Sequence, residues 1–275
     1  MSKLRVVTWN AEGMFVEGTK TRRATPHDAL RVLRRLNADI IVIPEFGRLD
    51  GLRDEIHTAM ASLGYEVVST PYNDSNTPGL GLVVLSRLPV VSWRAHALAV
   101  TGRNMLEIFC KDESGSRIRI IGVHLDDRGE AIRMRQIQDV VQLVNADVTT
   151  PTILMGDMNA MHEKSRFARF IRSAPVRHMT RHINHTLIAS VAQRVQEMAL
   201  GTTIATLQHD TLLHDLDPGH KRTISGRQRG LEWIPSVRLA KIDWIFGSRQ
   251  IKTVIYKVHR DVGSDHRPVE ANIIY

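Results

Sequence analysis

Two clusters of polar residues stand at the ends of apolar segments that are predicted to be strands. Asp157 and Asn159 directly follow one such segment, and Asp265 and His266 come shortly before the last one. Proteins of the α/β class place chemistry at strand ends, because rigid backbone there delivers side chains into a crevice. Carboxylate and amide oxygens suit a hard divalent cation, a carboxylate can serve as a base for water, and a histidine can donate to a phosphoryl oxygen. These residue types are the ones that metal-assisted cleavage of a phosphate ester requires.

Four further polar residues adjoin or interrupt apolar strands. Asn10, Glu45 and His124 each follow a predicted strand, and Asp243 lies within one. Taken singly, most have an ordinary explanation, since an Asn after a strand is usually a turn residue and a Glu there is usually solvated. Asp243 differs, because alternation puts it on the same strand face as Ile245. This position favours a buried carboxylate that has a hydrogen-bonding partner.

Short apolar segments rich in β-branched residues predict most of the fold. Turn-forming residues separate the segments in the middle of the chain at short spacing, which favours antiparallel neighbours. Two such blocks with interspersed helices predict an α/β fold in which two mixed or antiparallel sheets pack face to face and helices cover the outside. Strands are predicted over residues 4–9, 39–43, 65–70, 80–85, 90–100, 105–111, 117–123, 152–155, 242–246, 251–258 and 269–274. Helices are predicted over residues 50–62, 129–146 and 187–199. One further helix is predicted to begin near Thr25, and another to contain Phe167.

Residues 161–240 interrupt this pattern. They contain many His, Arg and Gly residues and few strand signals, and the strand pattern resumes directly at Ile242. We therefore predict a single domain over residues 1–275, with a helical and basic insertion at about 161–240, rather than a second domain.

Composition and charge favour a polyanionic partner and a reducing compartment. The 275-residue chain carries a formal net charge of +8, which favours nucleic acid or anionic lipid headgroups as partners. Its single cysteine, Cys110, lies in an apolar strand, so the chain can form no intramolecular disulfide. No segment has the character of a signal peptide, and no apolar run approaches the roughly 20 residues that cross a bilayer. We predict a soluble, cytoplasmic protein without a transmembrane segment.

Seven segments that carry these residues follow one another in a characteristic order. They are Thr8-Trp9-Asn10, Ile43-Pro44-Glu45, Gly81 to Pro89, Val123-His124-Leu125, Gly156-Asp157-Met158-Asn159, Ile242 to Phe246 and Ser264-Asp265-His266. In this order, over nearly the whole chain, they resemble the endonuclease/exonuclease/phosphatase superfamily. The resemblance implies a DNase I-like, four-layer α/β sandwich and a metal-dependent hydrolase that acts on phosphate esters.

Two features depart from the family pattern. The residue before the metal-site Glu is commonly Gln in the family, whereas here it is Pro44, which predicts a local change at the strand exit with the carboxylate of Glu45 retained. Residues 161–240 are longer than the usual spacer, so the substrate is the least determined property. A further stretch resembles the branch that includes enzymes similar to tyrosyl-DNA phosphodiesterases, namely Asp126-Asp127-Arg128 followed by Arg133, Arg135 and Gln136.

The resemblance also implies a binding site for Mg²⁺, with Mn²⁺ as a substitute. Glu45 would be the principal ligand, helped by Asn10 and Asp265, directly or through water. This assignment fits the preference of Mg²⁺ for oxygen ligands and for retained waters.

Five residues would be catalytic if the resemblance holds. Asp157 would orient or deprotonate the attacking water, and Asn159 would hold the phosphate or the nucleophile. His266 would donate to a nonbridging phosphate oxygen, while Asp243 fixes its tautomer and favours its charged form. His124 would contact the phosphate or assist the leaving group.

Several arginines are candidates for binding substrate. Arg128 either contacts a phosphate, which its planar guanidinium would match, or is a solvated arginine at a helix start. Arg222, Arg227 and Arg229 belong to a basic, Gly-containing stretch that either tracks a nucleic-acid backbone or forms a solvated loop.

Three functions remain open at this point. The first is a metal-dependent phosphodiesterase or phosphatase that acts on nucleic acid, as an endonuclease, an exonuclease or an enzyme that processes DNA ends. The second is a phosphatase or phosphodiesterase for lipid headgroups or small molecules on the same fold. The third is a nucleic-acid-binding protein without catalysis, which the carboxylates argue against, since binding alone does not require them to face a polyanion.

Overall fold

The computed structural model describes residues 2–11, 26–46, 53–70, 81–181, 186–217, 219–224, 239–260 and 262–275, and these residues form seven helices and twelve strands. The strands are β1 (Lys3–Thr8), β2 (Ile40–Phe46), β3 (Glu66–Ser69), β4 (Gly81–Ser86), β5 (Val90–Ala97), β6 (Asn104–Lys111), β7 (Arg117–His124), β8 (Thr152–Asp157), β9 (His214–Asp215), β10 (Asp243–Gly247), β11 (Lys252–Val258) and β12 (Val269–Ile274). The helices are α1 (Pro26–Leu36), α2 (Arg53–Ser62), α3 (Glu130–Asn145), α4 (Arg166–Ile171), α5 (Ala174–Arg181), α6 (Thr186–Met198) and α7 (Thr202–Asp210).

The strands make two six-stranded mixed sheets. The first sheet has the order β11-β12-β1-β2-β4-β3, and the second has the order β5-β6-β7-β8-β10-β9. The pairs β1–β2 and β7–β8 are parallel, and the other pairs in both sheets are antiparallel. Fully buried aliphatic side chains from both sheets pack between them, including Val6, Val42, Ile120 and Ile245. Their burial against one another brings the two sheets face to face.

Helices cover both outer faces. Leu33 and Leu36 of α1 pack with Ile41 and Leu85 of the first sheet, and all four side chains are buried. On the other side, apolar residues of α3 and α7 pack against the second sheet, among them Ile137, Val140, Ile204 and Leu207. The order of layers is therefore helix, sheet, sheet, helix, and the predicted fold class is confirmed. None of the helices in the described parts of the chain has the length and apolar character of a membrane span.

The described residues of the insertion at 161–240 contain more secondary structure, and pack more closely against the sheets, than the sequence indicated. The two helices predicted there correspond to α4 and α6, but α5, α7 and β9 were not predicted. Helix α7 packs in the layer outside the second sheet, and β9 pairs with β10 at the edge of that sheet. The single-domain interpretation of residues 1–275 stays a prediction.

Candidate active site

Three of the predicted site residues lie in one row across the second sheet. In the register of the sheet, His124 on β7 is the neighbour of Asp157 on β8, and Asp157 is the neighbour of Asp243 on β10. All three side chains are buried. The row stands at the ends of β7 and β8, so the sheet itself fixes the spacing of these side chains.

The first sheet brings two more predicted residues to the same place. Asn10 follows β1, and Glu45 is the second-last residue of β2, where the pairing with β4 shifts register between Ile43 and Phe46. Glu45 has a positive φ of 54°, an uncommon conformation for a residue with a side chain. A bulge at a strand exit re-aims the side chain, and the local change that Pro44 predicted is therefore present.

The amide of Asn10 joins the carboxylates from the two sheets. Its Nδ2 donates to Glu45 Oε1 at 3.0 Å and to Asp157 Oδ2 at 2.9 Å. His124 lies beside the same pair, with its Nε2 at 3.5 Å from Glu45 Oε1 and 3.9 Å from Asp157 Oδ2. Two of the three predicted cation ligands, Asn10 and Glu45, are thus in direct contact, and both lie beside Asp157 or His124. Their role as ligands stays a prediction.

His266, three residues before β12, completes the group. Its Nδ1 lies 2.9 Å from Asp243 Oδ2, and its Nε2 lies 3.8 Å from Asp157 Oδ2 and 3.7 Å from Asp265 Oδ1. The imidazole therefore has one nitrogen on Asp243 and presents the other to the centre of the site. His266 faces Asp157, the geometry on which the predicted hydrolytic centre depends.

Nearly the whole chain matches a family of known proteins. A family model described as the Endonuclease/Exonuclease/phosphatase family matches residues 7–266. The chain belongs to this family. Members of the family are phosphoester hydrolases, and the sequence prediction of both the family and the enzyme class is confirmed.

Solved structures of the endonuclease/exonuclease/phosphatase family share the fold. A family member from Bacteroides vulgatus is 15% identical with a TM-score of 0.68, and the match covers 100% of this chain and 99% of that one. ANGEL2, a 2′,3′-cyclic phosphatase, is 13% identical with a TM-score of 0.66, over 98% of this chain and 95% of that one. The mannosyl-6-phosphatase Bt3783 of Bacteroides thetaiotaomicron is 15% identical with a TM-score of 0.66, over 99% and 100%. No curated protein matches the chain.

Two residues that the sequence analysis did not assign hold the site together. Thr223, fully buried in the insertion, donates its hydroxyl to Asp243 Oδ2 at 2.6 Å and accepts the backbone N–H groups of Ile242 and Asp243. Ser264 donates to the carbonyl oxygen of Asn10 at 2.8 Å and accepts the backbone N–H of His266. Thr223 thus fixes the start of β10, and Ser264 links the segment before β12 to the segment that follows β1.

Asn159 is hydrogen-bonded to Asp157 and helps to fix its carboxylate. Its backbone N–H donates to Asp157 Oδ1 at 2.8 Å, and its Nδ2 donates to the carbonyl oxygen of Leu125 at 3.0 Å. Its φ of 48° is in the left-handed region, which asparagine tolerates better than most residues. The predicted contact of Asn159 with phosphate or nucleophile stays a prediction.

Burial and neighbouring charges set the protonation of the two central groups. The pKa of Asp157 is raised to about 7, chiefly by burial and also by the Asp243 carboxylate, against the opposing charge of His266. Burial lowers the pKa of His266, but the carboxylates of Asp243, Asp265 and Asp157 outweigh burial and hold that pKa well above its usual value. At neutral pH, His266 is therefore a cationic donor beside a carboxylate that is able to accept a proton.

His124 has the opposite electrostatic character. Burial, together with the charges of Arg103 and His266, holds the pKa of His124 well below its usual value. The imidazole is therefore neutral at neutral pH, and it can either donate or accept one hydrogen bond at Nε2.

The donor set fits a hard divalent cation. The side chains of Glu45 and Asp265 are 24% and 16% exposed, so both carboxylates keep access to water. Glu45, Asp157, Asp243 and Asp265 bring four carboxylates to the site, where His266 is the cationic member among the residues described above. A divalent cation would offset this excess of negative charge, and oxygen ligands with access to water are what Mg²⁺ prefers. The identity of the ion stays a prediction.

The predicted substrate-binding arginines are only partly accounted for. Arg128 is 64% exposed, and its Nε and Nη2 donate to Asp126 Oδ2 at 3.1 and 2.9 Å. Arg222 is exposed one residue before Thr223, and Arg227 and Arg229 lie outside the described residues. Arg103, which the sequence analysis did not single out, lies close enough to His124 to shift its pKa.

Proposed function

We propose that the chain is a Mg²⁺-dependent phosphodiesterase that acts on nucleic acid. The observation that carries this proposal is the meeting of Asn10 and Glu45 from one sheet with His124, Asp157, Asp243 and His266 around a single small volume. These groups supply a base, a cationic donor and oxygen ligands for a metal, which together are what phosphoryl transfer to water needs.

Asp157 is the proposed base for the attacking water. Its two oxygens are fixed by donors, Oδ1 by the Asn159 backbone N–H and Oδ2 by the Asn10 amide, so the carboxylate cannot rotate away. A pKa raised to about 7 makes proton acceptance favourable near neutral pH. The proton of the water moves to Asp157 while the water oxygen bonds to the phosphorus. The ester bond on the opposite side of the phosphorus breaks, and the leaving oxygen takes up a proton from solvent.

His266 is the proposed donor to a nonbridging phosphoryl oxygen. Its Nδ1 is engaged by Asp243, which leaves the Nε2–H directed at the substrate side of the site. Because the carboxylates keep the imidazole charged, it stabilises the negative charge that develops on phosphorus-bound oxygens. Neutral His124 provides a second contact with the phosphate or with the leaving oxygen.

Glu45 is the proposed principal ligand of the cation, with Asn10 and Asp265 as further ligands, directly or through water. When bound, the cation supplies Lewis-acid stabilisation of charge on the phosphate. The contribution of the chain is to hold these ligands rigidly, through the Asn10 amide and through the register shift of β2 at Glu45.

The charge of the whole chain supports nucleic acid as the substrate. A net charge of +8 attracts a polyanion, although the site itself is acidic. A small-molecule phosphatase is the second candidate, since one structural neighbour is named a mannosyl-6-phosphatase. A panel of substrates, each assayed with and without Mg²⁺, distinguishes a nuclease from a small-molecule phosphatase. The panel contains single- and double-stranded oligonucleotides, 5′-tyrosyl DNA, phosphoinositides, nucleotides and sugar phosphates. Turnover of sugar phosphates alone would contradict the nucleic-acid proposal.

Replacing Thr223 with valine should lower kcat about tenfold with little change in KM. The substitution keeps the shape but removes the hydroxyl that donates to Asp243 Oδ2, and a lost partner of this kind typically costs about 10–100-fold in activity. Thr223→Ser keeps the hydroxyl and should restore most of kcat. The pH profile of kcat separates this role from a structural one, because weaker support of Asp243 shifts the limb that belongs to His266. An unshifted profile, or an inactive Thr223→Ser, would count against positioning through Asp243.

Replacing Glu45 with glutamine should raise the Mg²⁺ concentration that gives half-maximal activity by about 10–100-fold. The amide keeps the size of the side chain but removes the charge that attracts a divalent cation. Activity is titrated with Mg²⁺, and Mn²⁺ binding is followed by calorimetry in the absence of substrate. Glu113→Gln, an exposed carboxylate in the turn between β6 and β7, is the matched control. An unchanged Mg²⁺ requirement would remove Glu45 from the ligand set.

A further inference from the structure

We propose that Arg103, Arg128 and Arg194, the arginine cluster, bind a second phosphate group of the substrate beside the phosphate that is cleaved. This inference rests on the proposed function and narrows it, because it requires a substrate with more than one phosphate. The helix α6, which lies in the insertion and has no predicted role, provides one of the three arginines.

The cluster begins at the edge of the reaction centre. Arg103 donates from Nη1 to the carbonyl oxygen of Leu125, the residue that follows His124. The amide of Asn159 donates to the same carbonyl oxygen at 3.0 Å. The guanidinium of Arg103 and the amide of Asn159 therefore meet at one atom, and Arg103 is near enough to influence His124 electrostatically.

The other two arginines extend the cluster from this edge into solvent. Asp127 bridges Arg103 and Arg194, with its Oδ1 at 3.3 Å from Arg103 Nη2 and its Oδ2 at 3.1 Å from Arg194 Nη1. Arg128 is paired with Asp126 next in the same loop. The side chains of Arg194 and Arg128 are 52% and 64% exposed, so each presents a charged face to an approaching ligand.

Buried polar contacts of α3 hold the loops that carry Arg103 and Arg128. Gln136 Nε2 donates to Thr101 Oγ1 at 2.8 Å in the turn before Arg103, and its Oε1 accepts the backbone N–H of Asp126 at 2.8 Å. Gln136 is fully buried, so one side chain fixes the two loops relative to each other. Buried hydrogen bonds of this kind keep a binding site in one geometry.

Helix α6 is fixed to the same part of α3. Glu197 Oε2 accepts the backbone N–H of Glu130 at 2.9 Å, which satisfies a free donor at the start of α3. Glu130 Oε1 in turn accepts the backbone N–H of Thr203 at 2.8 Å at the start of α7. Arg194 lies three residues before Glu197, one turn away on the same helix, so this anchor sets where Arg194 stands.

The charges of the cluster favour an anion. Three guanidinium groups face two carboxylates, those of Asp126 and Asp127, and Arg194 uses a single Nη on its carboxylate. Each guanidinium carries five N–H donors in a planar fork that matches phosphate oxygens. Exposed ion pairs contribute little to stability. If these arginines had only a structural role, replacing the exposed ones would leave substrate recognition unchanged.

The test compares the double variant Arg128→Ala/Arg194→Ala with the wild-type protein on two substrates. One substrate is an oligonucleotide, and the other is bis(p-nitrophenyl) phosphate, which has one phosphate. We expect the ratio of kcat/KM for the oligonucleotide to that for the single-phosphate ester to fall about 100-fold, about tenfold for each charge-assisted hydrogen bond lost. The dependence of log KM on log salt should become shallower by about 2, one for each arginine.

Arg249→Ala is the matched control for charge. Arg249 is exposed and adjoins Ser248, whose backbone N–H donates to Thr152 at the opposite end of the second sheet from Asp157. If the cluster acted through overall charge alone, Arg249→Ala would change the substrate ratio as much as the single variant Arg194→Ala does. An equal change of the substrate ratio in Arg249→Ala and Arg194→Ala would therefore overturn the proposal.

A binding experiment separates failure of the subsite from failure of the proposed function. Anisotropy of a fluorescein-labelled oligonucleotide is measured with Asp157→Asn, with and without the two arginine substitutions. Weaker oligonucleotide binding in the arginine variants supports the subsite even if the wild-type protein hydrolyses no ester. Absence of hydrolysis would contradict only the proposed reaction. Competition by a nucleoside 3′,5′-bisphosphate shows that two phosphates suffice, and its failure to compete assigns the subsite to a longer backbone. Equal oligonucleotide affinity in all variants would overturn the arginine cluster as a phosphate site.

Discussion

Replacing Asp157 with asparagine should lower kcat for phosphate-ester hydrolysis by about 10³-fold while the protein stays folded. Asparagine has the same shape but cannot accept the proton of the attacking water, and a positioned general base commonly contributes about 10²–10⁴-fold. The pKa of Asp157, raised to about 7 by burial, suits a base that takes up a proton near neutral pH. The measurement is kcat at saturating Mg²⁺ on an oligonucleotide and on bis(p-nitrophenyl) phosphate.

Two comparisons make the result for Asp157→Asn interpretable. Circular dichroism and thermal unfolding check the fold, since one of the two donors on Asp157, Asn10 Nδ2 or the Asn159 backbone N–H, loses its acceptor in the variant. Asp210→Asn, at the exposed end of α7, controls for removal of a carboxylate elsewhere. A folded Asp157→Asn protein with a tenth or more of the wild-type kcat would show that another group takes the proton.

The sequence predicted the strands well because buried strands differ most from the rest of a sequence. Aliphatic runs such as 40–43 and 152–155 are short, continuous and bounded by polar residues, and they became β2 and β8. The same contrast made the site residues recognisable in the sequence, since Asn10, Glu45 and Asp157 are polar residues at the ends of such runs. Their meeting point could be expected only from the resemblance, because register between distant strands is not local information.

The elements that were missed depend on tertiary contacts. Helix α7 begins Thr-Thr-Ile, and β-branched residues of this kind disfavour a helix. Its start is instead stabilised by Glu130, which is 73 residues away from Thr203 in sequence. Strand β9 has two residues and exists through its pairing with β10, so no periodicity could reveal it.

The unpredicted site residues were missed for a related reason. Thr223 is a single threonine in a basic stretch, and its importance comes from its contact with Asp243, 20 residues away. Arg103 was missed because the strand predicted over 90–100 ends at Ala97, and a turn follows in which Val100 has a φ of 77°. That turn redirects the chain and brings Arg103 towards Leu125, a result of backbone geometry that the composition of the segment does not indicate.

Replacing Gly156 with alanine should destabilise the protein by about 4 kcal/mol or more, beyond the range of most single substitutions. Gly156 pairs with Val123 in the parallel register of β7 and β8, and its φ is 151°. A Cβ added there would lie 1.9 Å from the Val123 carbonyl oxygen, a backbone atom that cannot move without separating the strands. The free energy of unfolding is measured by urea titration with circular dichroism.

The position of Gly156 connects this loss of stability to the chemistry. His124 and Asp157 directly follow Val123 and Gly156, so the close approach of the two strands sets the distance between these side chains. Gly129→Ala is the control, since a Cβ there meets no atom within 4 Å, and the loss should be about 1 kcal/mol or less, as for a changed helix cap. An alanine variant at 156 as stable as the control would mean that β7 and β8 are farther apart than described, and the row of His124, Asp157 and Asp243 would lose its basis.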